Sequence, residues 1–417
     1  MPVWTVLNQY RRVISSRTYF PLWLGQLVSN FGDTLNYVAL VVLVYRLSGS
    51  GLAVSLTVIL EIVPVLLLAP IAGVVIDRLP RQAILVVSEL VRAGLISLLI
   101  VANQTWQIYG IVAGLTAAGV FFNPTLQAVI PRVVEPEALL AANSVGWSTA
   151  QLVQIVAAAV AGGLIANFGT AAAFGVNAAS FVFSALMIVQ LPIPKQLSPV
   201  PPVNQRGFAA WLADLRAGLR YARQDHFISR LMVVQALASL AAGATGALLI
   251  VLSQRHLRLP PEGFAWLLMA IGIGALLGPI LFGSLVQDYR HARFLFGPYV
   301  IRGVGDILLA LLTSLPATLV ILVVYGLNTS TGMVVYNSLM QSEVPEEMRG
   351  RVYTLMDVVW NALQLVSLGL GGVLADRLGV RVIYYLGGTL LMAAGLLGLR
   401  LLGRYTFKAP QPPRLAA

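Results

Sequence analysis

Twelve stretches of about twenty or more predominantly apolar residues follow one another along this chain. They lie at about 20–45, 52–76, 83–101, 107–130, 139–166, 170–191, 229–253, 261–286, 292–313, 316–340, 351–375 and 380–403. A hydrocarbon core about 30 Å thick takes about 20 helical residues to cross. Apolar residues make up 58% of the chain and charged ones 10%, against roughly 45–50% and about 25% in soluble domains. The expectation is an all-α membrane protein of twelve transmembrane helices, with no soluble domain of useful size.

The charges that remain are sorted by side. With the N-terminus placed inside, twenty of the 27 Lys and Arg fall in the tails and cytoplasmic loops, among them Arg11, Arg12, Arg17, Arg216, Arg220, Arg290, Arg349 and Arg351. Five fall outside (Arg46, Arg255, Arg258, Arg377 and Arg381), and Arg92 and Arg302 lie within spans. The positive-inside rule then puts both termini in the cytoplasm of a cell whose inner membrane holds the protein. The formal net charge of +11 is thereby explained by topology. Nucleic-acid binding would need a basic face with stacking aromatics on a soluble module, and none is present. The first apolar stretch is too long for a signal-peptide core, is interrupted by Asp33 and has no small-residue cleavage site after it, so it is expected to persist as a span.

Cysteine is absent, and His226, His256 and His291 all fall in loops. This removes disulfides, thiolate sites and a transition-metal site within the membrane, so neither a metal nor a cofactor is expected. An intramembrane enzyme would need a nucleophile–base set facing one cavity, whereas the acids here are scattered over different helices. No catalytic residue is expected.

The two halves repeat. Asn123, Gln127 and Pro131 match Asn337, Gln341 and Pro345 at an offset of 214, and Trp147 and Gln151 match Trp360 and Gln364 at 213. Gly162-Gly163 matches Gly371-Gly372 at 209. Two pseudo-symmetric six-helix bundles of like orientation follow, over 1–191 and 229–417. The linker at 192–228 begins with five prolines between Leu191 and Val203, which favour an extended chain. Phe208, Trp211, Leu212, Leu215 and Leu219 then recur at helical spacing opposite Asp214, Arg216, Arg220 and Arg223, as in an amphipathic helix lying on the inner leaflet.

Polar groups inside the spans are costly and mark candidate sites. Gln26, Asn30, Asp33 and Tyr37 form one stripe on the first span. Asp33 is about 20 Å in at helical rise, so its carboxylate must pair, bind a cation or take up a proton, unless it is a buried hydrogen-bonder. The eleventh span repeats the device with Asp357, Asn361 and Gln364, and Glu61 stands alone in the second. Asp33, Glu61 and Asp357 are the candidate proton- or substrate-coupling acids. Glu89 with Arg92 (i, i+3) and Arg302 with Asp306 (i, i+4) are spaced for local structural ion pairs, and the two arginines are repeat-related at 210. Tyr325, Thr329, Gly332 and Tyr336 on the tenth span, with Gln235 and Ser239 on the seventh, are candidate cavity-lining residues. Aromatics and small hydroxyls with few charges suit a bulky amphiphile better than a phosphorylated substrate.

Between the second and third spans lies Gly73-Val-Val-Ile-Asp77-Arg78-Leu-Pro-Arg81-Gln82. It resembles the loop 2–3 signature Gly-x-x-x-Asp-Arg-x-x-Arg-Arg/Lys of the major facilitator superfamily, with Gln82 in place of the last basic residue. The corresponding second-half segment keeps Gly283, Asp288, Arg290 and Arg293, with the acid shifted by one. Trp23 through Asp33, Ser88 through Arg92 and Gln341 through Arg351 are similar to the macrolide-efflux-like branch, the third drug:proton antiporter family. That resemblance implies proton-linked export of an amphiphilic small molecule by a monomer using alternating access, with spans 1, 4, 7 and 10 around the cavity. It also implies that Gly73, Asp77, Arg78 and Arg81 form a conformational gate, Asp77 meeting the N-terminus of the eleventh helix in the outward-open state.

Two departures stand out: Ala158-Ala159 replaces the antiporters' Gly-Pro before Gly162-Gly163, and the fourth span lacks their buried Arg. Phe31-Gly32-Asp33, Pro124 and Ala142-Asn143 are shared with related lysophospholipid transporters, so a lipid substrate is the alternative. Ferroportin-like metal exporters also carry a Gly-Asp there, but the lack of Cys and of intramembrane His argues against them.

The topology is open to test on a chain without native cysteine. A Cys placed at Gln205 should react with an impermeant maleimide only after cells are permeabilised, and labelling in intact cells would reverse the orientation.

Overall fold

The computed structural model describes residues 13–135, 138–191, 208–285, 290–405 and 407. All of the regular structure among them is helical: α1 (Tyr19–Ser48), α2 (Gly51–Arg78), α3 (Arg81–Leu99), α4 (Thr105–Val133), a continuous run Leu139–Val189, α7 (Phe208–Gln224), α8 (His226–Ala247), α9 (Gly263–Leu285), α10 (Ala292–Leu311), α11 (Leu315–Glu343), α12 (Glu346–Leu378) and α13 (Val380–Leu402). Eleven of these, α7 excepted, are long and apolar enough to cross a membrane.

The run Leu139–Val189 is two spans. Gly169 sits within it at φ 76°, ψ 176°, a conformation that only glycine adopts without strain. Both limbs return to the same part of α1: the Tyr19 hydroxyl donates to the Ala142 carbonyl at 2.8 Å, and Gly25 lies against Met187. A straight helix would separate Ala142 from Met187 by about 70 Å, so the chain doubles back at Gly169. The limbs are α5 (139–168) and α6 (170–189), which brings the spans to twelve and makes the protein a multi-pass membrane protein.

The seventh span, expected to be unbroken over 229–253, departs from helical geometry at Leu248 (φ −86°, ψ 12°). It resumes and ends in a π turn, Leu252–His256, in which the Leu257 N–H reaches back five residues to the Leu252 carbonyl.

The described residues form two compact units. One contains α1, α2 from Leu56 onward, α3 to α6 and the first two turns of α9, ending at Met269. The other contains residues 50–55, α7 from Trp211, α8, the rest of α9, and α10 to α13. The first turns of α2 and α9 are therefore exchanged relative to a division by sequence order.

Within the N-terminal unit, Tyr19, Leu22, Leu85, Phe122, Val129, Ala142 and Ile188 bring α1, α3, α4, α5 and α6 into one core. In the C-terminal unit, Phe227, Leu231, Phe296, Leu339, Leu355 and Leu391 do the same for α8 and α10 to α13. Small residues set the closest approaches, as they must where lipid is as apolar as the side chains. Gly303 on α10 and Gly388 on α13 face each other: a Cβ at either would lie 2.5 or 2.6 Å from the other's carbonyl oxygen.

The linker is described in part. Residues 192–207, with the prolines, lie outside the described residues, as do Arg11, Arg12 and Asp288. The part of the apolar stripe of α7 from Leu215 onward faces protein. Ala222 is fully buried, Leu215 and Leu219 pack on the C-terminal core, and Gly218 lies against the Arg351 carbonyl. Arg351 also pairs with Asp214 at 2.9 Å. The helix docks on the start of α12, so this face is not available to the lipid surface expected to take it, while Arg216, Arg220 and Arg223 remain exposed. Beyond α13, the Tyr405 hydroxyl donates to Glu343 at 3.0 Å, and burial, with that carboxylate beside it, raises the phenol's pKa.

Replacing Gly303 by Leu should push α10 and α13 apart. Overpacking of this kind costs about 1–3 kcal/mol or more, so the unfolding temperature of the purified protein should fall, with Gly303→Ala intermediate.

Candidate functional site

Four helices of the N-terminal unit meet at Arg92. Its Nη2 donates to both oxygens of Asp33 on α1, at 3.0 and 3.2 Å, and its Nη1 donates to Glu89 Oε2 on α3 at 3.3 Å. The other Glu89 oxygen accepts from the Ser184 hydroxyl of α6 at 2.6 Å. The guanidinium carbon sits 4.0 Å from the centre of the Phe181 ring and 5.5 Å from that of Phe122 on α4. Each contact meets a physical need: a planar cation off water takes carboxylates on its edge and aromatic faces on its flat sides.

Sequence spacing accounts for half of this cluster. The i, i+3 spacing puts Glu89 and Arg92 on one face of α3, and the structure brings them together. It also brings in Asp33, which the sequence left without an assigned partner. Gly32 makes room for this, because a side chain there would collide with Asn177 and Ser180 of α6. The two acids differ in access. The Glu89 side chain is 0% exposed, the Arg92 side chain 14% and the Asp33 side chain 39%. The Asp33 stripe itself is half-buried, and Gln26 Nε2 has no hydrogen-bond partner. Ser184, Phe181 and Phe122 were not anticipated. Single aromatics and serines in apolar spans carry no signal of their own until the fold places them beside a charge.

The repeat-related Arg302 behaves differently. It does not close a salt bridge with Asp306; its guanidinium lies 4.4 Å from the centre of the Tyr325 ring on α11, and Arg302 Nε and Asp306 Oδ2 lack hydrogen-bond partners. The expected i, i+4 pair is corrected to a cation–π contact. No acid occupies the part of α8 related by the repeat to Asp33, where the sequence is Ala241-Ala-Gly-Ala-Thr-Gly-Ala247.

The cavity candidates of the C-terminal unit each have identifiable partners. Gln235 accepts from the hydroxyl of Tyr299, a residue the sequence did not single out. Ser239 donates to the Trp360 carbonyl at 2.5 Å, tying α8 to α12. Tyr336 packs edge-on to Tyr353 with ring centres 6.3 Å apart. Tyr325 is engaged by Arg302. Thr329 is exposed and bonds its own helix at the Tyr325 carbonyl, as Asn361 does at the Asp357 carbonyl. The carboxylates of Glu61 and Asp357 make no hydrogen bond or salt bridge among the described residues.

At the loop signature, Gly73 and Arg78 are exposed, and Arg81 donates to the Ala128 carbonyl of α4 at 3.3 Å. The Asp77 side chain lies outside the described residues. Gln82, the departure from the signature, has a structural role. Its amide nitrogen reaches the carbonyls of Ile188, Val189 and Leu191 at 3.0, 3.0 and 3.1 Å, capping the end of α6. A helix C-terminus presents acceptors without donors, and a neutral amide satisfies them.

Residues 13–411 match the sequence family described as transmembrane secretion effector. The multidrug efflux pump Tap of Mycolicibacterium fortuitum is 28% identical over 371 residues, covering 86% of this chain and 89% of its own. Macrolide efflux protein A of Streptococcus pyogenes is 22% identical over 381 residues, covering 90% and 93%. Among solved structures, the nucleoside transporter NupG superposes with a TM-score of 0.76 at 11% identity, over 94% of this chain and 100% of that one. A bacterial homologue of the iron transporter ferroportin gives 0.69 at 17% identity, over 97% and 100%. At these identities the structural likeness shows the fold alone.

Arg92 holds a fully buried carboxylate, so removing it strands that charge. Arg92→Met should destabilise the protein by about 3–5 kcal/mol, and adding Glu89→Gln should recover much of the loss. Thermal unfolding in detergent reads both, and an unchanged midpoint for Arg92→Met would show that the cluster holds nothing together.

Proposed function

The chain belongs to the transmembrane secretion effector family of the major facilitator superfamily, whose members are transporters and not enzymes, and from that premise we propose that it exports cationic amphiphilic drugs across the cytoplasmic membrane in exchange for protons. The names of the relatives, a multidrug efflux pump and a macrolide efflux protein, support the substrate class. The observation that carries the coupling is Arg92 shared between Asp33 and Glu89.

With both acids ionised, the cluster holds two negative charges against one positive, and Asp33 is the more exposed acid. One further positive charge balances it, either a proton on Asp33 or the cationic group of a substrate. The two compete for the same oxygens, so binding one expels the other. Exchange of this kind is antiport without any further device, provided the site faces the two sides alternately. Arg92 sets the strength of the competition: it partly neutralises Asp33, so neither a proton nor a substrate is held too tightly to leave.

The reading keeps both termini cytoplasmic, the protein a monomer, and Gly73, Asp77, Arg78 and Arg81 as the gate that biases the inward- and outward-facing populations. Gln26, Asn30 and Tyr37, which extend the Asp33 stripe, would orient the substrate's polar end. Glu61 and Asp357 are reserve acids on other helices.

Asp33→Asn, which imitates the protonated acid, should reduce pH-gradient-driven export of ethidium from proteoliposomes to the level of protein-free vesicles. Downhill movement of a neutral macrolide should survive. Full gradient-driven ethidium export by Asp33→Asn would move coupling to Glu61 or Asp357. Gradient-independent movement of lysophospholipid, with no ethidium transport, would favour a lipid substrate instead.

A further inference from the structure

The last turns of α12 read Gly372-Val-Leu-Ala-Asp376-Arg377-Leu378, which is identical at five of seven positions to Gly73-Val-Val-Ile-Asp77-Arg78-Leu79 at the end of α2. The half-repeat does not account for this. Its offset of 209 in this region pairs Asp376 with Asn167, whose side chain bonds its own helix at the Gly163 carbonyl. A second copy of the signature therefore stands where neither the repeat nor the loop resemblance places one.

Asp376 Oδ1 accepts from the Gly51 N–H at 2.7 Å, and Oδ2 accepts from the Leu52 N–H at 3.1 Å and the Ser50 hydroxyl at 2.5 Å. Arg255 Nη1 lies 3.9 Å from Oδ1. Gly372 brings the chains close enough for this: a Cβ there would lie 2.8 Å from Leu52 Cα and 3.1 Å from Ser55 Cβ. The glycine admits the first turn of α2, and the aspartate four residues on caps it. The first N–H groups of a helix have no partner within it and carry the positive end of its dipole, so an anion held there is favoured.

The same turn marks a boundary. Residues 50–55 belong to the C-terminal unit, whereas the rest of α2, from Leu56, belongs to the N-terminal one. Any rearrangement of one unit against the other must either bend α2 or release the Asp376 cap. The first proline or glycine beyond the boundary is Pro64, two turns on, so the boundary turn itself has no residue that favours a bend. Release of the cap is the route that leaves the boundary turn straight, and a bend at Pro64 is the alternative that the test below separates from it.

We propose that Gly372 and Asp376 form a releasable latch on the N-terminus of α2, the reciprocal of the Asp77 signature about 40 Å away at the other end of the same helix. Each helix carries Gly-x-x-x-Asp-Arg at its C-terminal end, and the cap that Asp376 makes here is the one implied for Asp77 on the N-terminus of α12. One cap forms as the other breaks. This rests on the alternating-access reading.

The test needs no transported substrate. Ser55→Cys is isosteric, fully buried, packed on Gly372 and one turn from the carboxylate. In detergent-solubilised protein, adding Asp376→Asn should speed N-ethylmaleimide labelling of that thiol by about three- to tenfold, and Asp376→Glu should restore much of the protection. A rate that Asp376→Asn leaves unchanged overturns the latch. A second arm uses Gly51→Cys with Ala375→Cys, whose Cβ positions are about 3.2 Å apart and within reach of a disulfide. Oxidation should arrest ethidium export and reduction restore it. Undiminished export by the crosslinked protein would make the contact a static brace. Should the chain export no ethidium at all, the proton-exchange reading fails while the labelling arm still decides the latch.

Discussion

A guanidinium between two carboxylates organises the N-terminal unit. In a medium that solvates no charge, Arg92 can remain ionised only where Asp33, Glu89 and the faces of Phe181 and Phe122 converge on it. That requirement positions α1, α3, α4 and α6 relative to one another. Gly32, one residue before Asp33, lets α1 lie close enough to α6 for the acid to arrive. With both acids ionised the same cluster is one positive charge short of balance, which makes it a candidate site as well as a structural tie.

The two halves use one backbone plan for different chemistry. Arg92 and Arg302 hold related positions, yet the second meets a tyrosine ring in place of a carboxylate, because α8 supplies no acid opposite it. Repetition preserved the helices, which depend on apolar length and small-residue contacts. It did not preserve the charges, which depend on single side chains.

Helix ends carry much of the remaining specificity. Gln82 closes the carbonyl end of α6, Asp376 closes the N–H end of α2, and Tyr405 returns to Glu343 at the end of α11. In the first two cases a side chain distant in sequence satisfies backbone groups that a helix cannot satisfy itself, and in the third it pairs with a side chain of the last turn. Gln82 shows how a departure from a family signature gains meaning from such a contact: a fourth charge at that position could not donate to carbonyls as a neutral amide does without adding to the loop's positive field.

The sequence by itself determined the all-α membrane fold, the twelve spans and the half-repeat. Apolar length, charge spacing and constant offsets are one-dimensional quantities, and the bilayer turns them directly into helices. It also placed Glu89 beside Arg92, since neighbours on one helix face follow from 3.6 residues per turn. Tertiary structure decided the rest: that Asp33 joins Arg92, that Arg302 takes a ring, that Gln235 meets Tyr299, and that Leu215 and Leu219 of α7 pack on protein. Those outcomes turn on which helices cross at which glycines. A crossing is a relation between distant residues that no local pattern in the chain encodes.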